Sequence, residues 1–494
     1  MTTIFTGTAV LAWSLALLLF ALHSAAAAVL SALAVALIAS ALAAILRPMQ
    51  GLILLPFPAL MGPIFPLHVS GLGILTAADI HLLGLCIVFV LIDRKTVEPV
   101  FLGRGRLFLY GFAIFFLLSW ALSEDLTSSN YALANFVQLA AVYLLTLNLL
   151  RSANDVRALL TGWLVAVSLC SLLTLLRYYQ GEPLLLSSEL LGEGPARDDL
   201  LLLDYFFRAT FFYAGFFFAL AVTLIVVLSR LAGGGTLHPL NQVLLMLSGL
   251  INATALLLMN TKSAIYSILL IGPLVILGGL ARGRRNANRP AGTAPLVAGL
   301  VVITVGLVVL VPLFLVSEQL TALSDRLTGG ESFAQRMTIY RNAVQEMLSD
   351  EKLLVLGLGP DTIVRSPQLP RVSRILTDPL TGLSEGALDS TFLTVLVEFG
   401  LVAFMALGSL VAFTMWLLFA KRSVLPVDIY WAIAGGMAVW LLTASTQYMG
   451  WSKTSWLFAE LVAMAHFLTR SRLSAKLVNR ASEPGATRPQ RSPA

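Results

Sequence analysis

The sequence predicts an all-α polytopic membrane protein with about fourteen transmembrane helices (12–14, at roughly 20 apolar residues each) and one large polar loop. Three observations lead there. The 494 residues are 58% hydrophobic and 12% charged, roughly half the charged share of a soluble domain. Apolar runs of spanning length recur along almost the whole chain. Lys and Arg fall in every second connection, as they do when basic loops stay on the cytoplasmic side.

That last pattern also accounts for the net charge of +6 and the pI near 9.4. Positive-inside sidedness explains such a balance in a membrane chain, so no nucleic acid partner is expected. Cys86 and Cys170 lie in separate apolar spans and read as small core residues, not as a disulfide framework. Residues 11–22 and Ala25–Ala28 imitate a signal peptide, but residues 1–10 contain no Lys or Arg. The first segment is therefore expected to stay as an uncleaved helix.

Spans are expected near 4–22, 26–46, 51–68, 73–92, 106–122, 131–150, 156–176, 210–229, 241–260, 263–281, 294–316, 390–420, 427–447 and 453–470. The stretch 11–46 is too long for one span, and His23-Ser24 is the natural place to turn. Pro56, Pro58, Pro63 and Pro66 predict a kinked or partly re-entrant third segment. With the N-terminus in the cytoplasm, the cytoplasmic connections hold Arg47; Arg94, Lys95, Arg104 and Arg106; Arg151 and Arg157; Arg230; Arg282 to Arg289; and Lys421 with Arg422. The short connection at 123–130 falls outside and carries Glu124 and Asp125 without a basic residue. An even number of spans returns both termini to the cytoplasm. The organisation is then helices over 1–316, a large outer loop over 317–388, further helices over 389–470 and a Pro-, Ser- and Arg-rich disordered tail over 471–494. A medium outer loop covers 177–205, and no internal repeat is visible, which weighs against a secondary transporter.

The long loop is where a membrane protein of this kind does its work, because lipid-facing helices need no such polar segment. Within it, Ser332-Phe333-Ala334-Gln335 has capping-box spacing. Phe333, Met337, Tyr340, Val344, Met347 and Leu348 then recur at helical spacing and predict one apolar face, flanked on opposite sides by Arg336 and Arg341. Such a helix either rests on the membrane surface with Arg at lipid headgroups, or grips a substrate phosphate through Arg. Gly357-Leu358-Gly359-Pro360 reads as loop punctuation.

Several stretches together resemble the O-antigen ligase and polysaccharide polymerase superfamily of bacterial inner-membrane glycosyltransferases. Arg336-Met337-Thr338-Ile339-Tyr340-Arg341-Asn342-Ala343, followed by Leu356-Gly357-Leu358-Gly359-Pro360, is similar to the family's Arg-bearing loop helix and the turn behind it. Asp389-Ser390-Thr391-Phe392-Leu393 with Glu398-Phe399-Gly400-Leu401 stands where the family has its polar lead into the helix after the loop. Asn260-Thr261-Lys262-Ser263-Ala264 resembles the family's Ser-Arg-Gly turn, with Lys262 in place of Arg, and Arg208-Ala209-Thr210-Phe211 resembles an earlier Arg-bearing helix start. The likeness covers about 208–407. It implies a GT-C-like enzyme of the inner membrane that polymerises undecaprenyl-diphosphate-linked repeat units into exopolysaccharide or O-antigen at the periplasmic face. The alternatives are a ligase that moves the glycan to an acceptor such as lipid A-core, and a flippase for the same lipid. Ligases of the family carry His where Asp389 stands, and the five His, at positions 23, 68, 81, 238 and 466, all lie outside the large loop. This departure points to a polymerase.

Glycosyl transfer from a lipid diphosphate needs a neutralised leaving group and an acceptor hydroxyl that loses its proton. The resemblance implies Arg208, Lys262, Arg336 and Arg341 as diphosphate ligands, Arg336 and Asp389 as catalytic residues, and no cofactor. Lys262 and Arg208 also read as interfacial snorkelling residues. Asp389 also reads as the N-cap of the helix starting at 390, a role compatible with that of a base. Glu398, about two and a half turns deeper, is either paired inside the bundle or protonated. The aromatic cluster from Tyr178 to Tyr213 reads as an interfacial belt or as a groove for sugar and polyprenyl chain. No Asp-x-Asp pair or zinc-ligand spacing occurs, so a metal-independent transfer is expected. Expected partners are the polyprenyl-diphosphate glycan, the bilayer, and a chain-length regulator and flippase of the same pathway. Asp79 and His81 are the close intramembrane polar pair that a transporter would use, and Asp79 reads equally as a cap.

Overall fold

A computed structural model describes residues 2–21, 26–61, 67–69, 73–92, 106–180, 216–233, 238–258, 262–285, 331–377, 388, 390–446 and 455–469. These residues are helical apart from one short antiparallel ribbon, β1 (Leu67–Val69) against β2 (Gly73–Leu75), with His68 opposite Ile74. Seven described helices are long and apolar enough to cross a membrane. The span expected at 294–316, most of the loop at 177–205 and the tail from 471 lie outside the described residues.

α1 (Thr2–Ala21) and α2 (Ala26–Leu46) form an antiparallel pair. Their interface is built from Ala9, Ala12, Ala16, Ala36 and Ala43, small residues that let backbones approach closely. Trp13 donates its indole N–H to Ser40 at 3.0 Å inside this interface. The span expected at 51–68 is not one helix. Pro56 separates α3 (Pro48–Leu54) from α4 (Pro56–Met61), and the ribbon follows. Proline supplies no N–H and crowds the preceding turn, so the two pieces total about 20 Å, short of the roughly 30 Å of a hydrocarbon core.

α5 (Ala77–Ile92) starts beside α3. Asp79 accepts hydrogen bonds from the amide and hydroxyl of Thr76 at 2.8 and 2.7 Å, which is a cap. His81 meets the Gly51 carbonyl at 2.8 Å. A Cβ on Gly51 would stand 2.7 Å from that of Ala44, so the glycine permits this crossing. The pair is thus spent on structure, and it is not alone. Trp163 donates to the buried Glu460, and His466 bridges Tyr143 (2.8 Å) and Thr414 (3.1 Å). Sequence reading overlooked these because the partners lie about 300 positions apart in two of the three bonds.

α6 (Arg106–Ala121), α7 (Leu126–Leu149) and α8 (Ala153–Gln180) lead to α9 (Phe216–Ala232), which is buried almost throughout. Around α9 stand α8, α10 (Pro239–Leu258), α11 (Lys262–Arg285) and α17 (Val427–Thr446). α16 (Thr391–Ala420) lies against α6, and α18 (Ser455–Thr469) against α7.

Arg157 forks onto Asp428 at 2.7 and 3.1 Å, and Arg230 donates to the Arg157 carbonyl and the Thr161 hydroxyl, both at 2.7 Å. The basic connections before α8, after α9 and before α17 therefore meet at one end. At the opposite end of α7, the acidic turn at 123–125 meets the large loop.

Candidate active site

The described part of the loop folds into four helices, α12 (Glu331–Leu348), α13 (Glu351–Leu356), α14 (Thr362–Arg365) and α15 (Pro370–Leu376). α12 starts one residue before the Ser332 expected as its cap. Its inward face is Ile339, Ala343 and Met347, each at most 3% exposed, while Met337, Val344 and Leu348 are exposed. The expected apolar face is thus rotated, because counting large side chains passes over Ala343. The inward residues join Leu353, Leu358, Ile363, Val372, Ile375 and Leu376 in a separate small core, completed by Leu388 and by Val397 of α16. A loop that brings its own core holds a defined shape.

The Gly357–Pro360 turn is more than punctuation. α16 is broken at Gly400, whose φ of 80° and ψ of 174° are not helical. The break leaves the carbonyls of Val397 and Glu398 to other donors. Leu358 N–H donates to Val397 (2.9 Å), and Gly359 N–H (3.0 Å) and the Ser119 hydroxyl (2.7 Å) donate to Glu398. Side chains have no room here. A Cβ on Gly357 would stand 2.3 Å from the Glu398 carbonyl carbon, and one on Gly400 would stand 2.2 Å from the Val355 oxygen. All three glycines, Gly357, Gly359 and Gly400, have positive φ.

The Glu398 side chain is buried, and its Oε1 accepts from the Ile363 N–H at 3.1 Å. Its side chain thus meets a loop amide, and among the described residues no cation pairs with it. Asp361 beside it takes the left-handed conformation, rare for a residue with a side chain. Its carboxylate holds Arg365, whose guanidinium lies 4.4 Å above the Tyr131 ring. Burial pushes the Asp361 carboxyl above the usual aspartate range, although Arg365 pulls it down.

Polar contacts fasten the same loop to the turn between α6 and α7. Glu124 N–H donates to the Leu358 carbonyl (3.0 Å), and the Ser129 hydroxyl to that of Pro360 (2.9 Å). Asp125 caps α7 through the Thr127 and Ser128 amides and also accepts from the Ser366 hydroxyl. Those hydroxyls, Ser366 first and then Ser128, hold its carboxyl below the usual range. Arg371 bridges Glu124 (3.1 Å) and Asp350 (3.0 Å), and Arg374 pairs with Glu346 (2.6 Å).

Against this frame the expected site residues separate. Arg336 lies in the first half of α12, and its side chain is outside the described residues. Arg341 is on the exposed face. Lys262 is the first residue of α11. Arg208 and Asp389 lie outside the described residues. The cap expected of Asp389 belongs to Ser390, whose hydroxyl accepts from the Leu393 N–H at 3.3 Å. Asp361, Arg365 and the loop partners of Glu398 were missed, since sequence shows no link across 35 positions.

Two outcomes are expected. Gly400→Ala should cost at least about 2 kcal/mol, from left-handed backbone plus steric overlap. Limited proteolysis should then cut at 350–376 far faster than in the wild type. Asp125, with its lowered pKa, contributes stability that is present above the unfolded aspartate value of about 3.9 and lost as pH falls through the folded one. Asp361 contributes with the opposite sign, since its raised pKa favours the acid side. Amide exchange in the Asp125→Asn protein should therefore show less acid loosening of the 358–366 region below about pH 4 than in the wild type.

Residues 245–408 match the family model described as O-antigen ligase. Comparison with curated proteins yields no match. The matched region begins within α10, takes in the loop core, the glycine turn and Glu398, and ends in α16 just beyond the break at Gly400. Through this region the chain is similar to the O-antigen ligase family.

Proposed function

We propose that the protein polymerises polyprenyl-diphosphate-linked oligosaccharide repeats at the periplasmic face of the bacterial inner membrane, without a metal ion. One observation carries this reading. Leu388 is buried in the loop core and Ser390 caps α16, so the backbone is fixed on both sides of Asp389. The inward face of α12, the helix that carries Arg336, belongs to the same core. The neighbours of Asp389 and the helix that carries Arg336 thus share one packed core, which supports their acting together. The acceptor hydroxyl attacks the anomeric carbon, its proton passes to the Asp389 carboxylate, and the bond from carbon to the diphosphate oxygen breaks. Arg336, with Arg208, Lys262 and Arg341 as further diphosphate ligands, neutralises the departing charge. Both termini lie in the cytoplasm in this reading, at the end where Arg157, Arg230 and Asp428 meet.

The family description favours a second reading, a ligase. Asp389, where ligases of the family have His, favours the polymerase. Glycan chain length in a deletion strain separates them: single repeats on the lipid indicate a polymerase, and long unattached chains a ligase.

The direct test uses purified protein and lipid-linked oligosaccharide. Arg336→Ala should abolish transfer at normal expression, and Arg336→Lys should restore little, because a point charge does not copy bidentate phosphate contacts. Asp389→Asn leaves the Ser390 cap in place, so its melting temperature should stay near the wild-type value. Its rate should fall roughly a hundred- to ten-thousand-fold. Wild-type turnover in either Arg336→Ala or Asp389→Asn removes that residue from the site.

A further inference from the structure

We propose that Glu398 is a positioning residue for the transfer reaction, acting by the reach of its side chain and not by its charge. The proposal rests on the glycosyl-transfer reading above. Glu398 is 1% exposed and lies in α16, seven residues beyond its first residue Thr391, about 10 Å along the helix. From there it holds the loop twice. Its main-chain carbonyl accepts from Gly359 at 3.0 Å, and its Oε1 from Ile363 at 3.1 Å. Between these two anchors runs Pro360-Asp361-Thr362, where Asp361 is held in the left-handed region. A residue with a side chain keeps that conformation only where its surroundings over-determine it. Downstream, Ile363 enters the small core that includes Ile339 of α12 and Leu388 next to Asp389. The same helix that starts at Thr391, just after Asp389 in the chain, therefore sets the height of the loop bearing Arg336.

Charge does not explain this arrangement. Among the described residues no cation pairs with Glu398, and its Oε2 has no hydrogen-bonding partner although buried. The neighbouring cation, Arg365, is taken by Asp361. What Glu398 supplies to the loop is one acceptor oxygen at a fixed distance, which glutamine also supplies and aspartate, shorter by one methylene, does not.

The experiment compares Glu398→Gln and Glu398→Asp in the full-length protein, purified in lipid nanodiscs. Amide exchange at 361–363 and the steady-state transfer of purified lipid-linked oligosaccharide are both measured. Positioning gives a defined pattern. The Gln variant keeps wild-type protection, KM and kcat, while the Asp variant loses protection. Its kcat falls about tenfold to a hundredfold with KM little changed, as expected when reacting groups shift by about 1 Å. The reverse order, with Asp active and Gln inactive, makes Glu398 an acid or base and overturns the proposal. So does unchanged amide protection in the Asp variant. If the wild-type protein itself transfers no glycan, the glycosyl-transfer reading fails, and amide exchange still decides whether Glu398 sets the loop.

Discussion

The arrangement depends on an unfinished helix. Every backbone carbonyl within a bilayer needs a donor, because no water is present to supply one. α16 stops being helical at Gly400 and leaves the carbonyls of Val397 and Glu398 open, one to two turns below its start. Leu358, Gly359 and Ser119 supply the missing donors. The loop is thus part of this helix's own hydrogen bonding, and detaching it leaves buried polar groups without partners, each at a cost of several kcal/mol. This is why three positive-φ glycines stand at the contact. Only a backbone without Cβ approaches another backbone closely enough to complete its ladder.

A second layer of contacts works outside the apolar region, where charges are affordable. Arg371 reaches Glu124 and Asp350, and Arg374 reaches Glu346, all partly exposed and each worth little in isolation. Their effect is directional. They fix the rotation of α15 and α12 over the turn at 123–125, while the backbone contacts fix their height. Inside the bundle the opposite economy holds, with single bonds such as Trp13 to Ser40 specifying helix neighbours.

Much of this was legible in the sequence, for identifiable reasons. Hydropathy located most of the described helices because lipid imposes one length and one composition on each. The order of the two glycine-bearing motifs was visible too. Their mutual contact was not, since a backbone-to-backbone bond leaves no side-chain signature. The inward face of α12 was misjudged because Ala343 is central yet small, while Met337 and Leu348 are large yet exposed. At the start of α16, Asp389 and Ser390 are both good caps, and only geometry chooses Ser390. In the third segment the prolines marked a disturbance correctly, but not that Pro56 would divide it.

The central helix α9 carries a consequence for how the protein is made. From Phe216 to Ser229 it is buried on every side, yet its sequence is apolar all round, with Thr223 and Ser229 bonded to its own carbonyls. Its neighbour α17 begins about 200 residues later in the chain, so at roughly 5–20 residues per second α9 waits in lipid for ten seconds or more before that partner exists. Its composition suits that earlier environment, and its burial suits the later one. Each side chain of α9 has to satisfy two solvents in succession, first acyl chains and then the bundle.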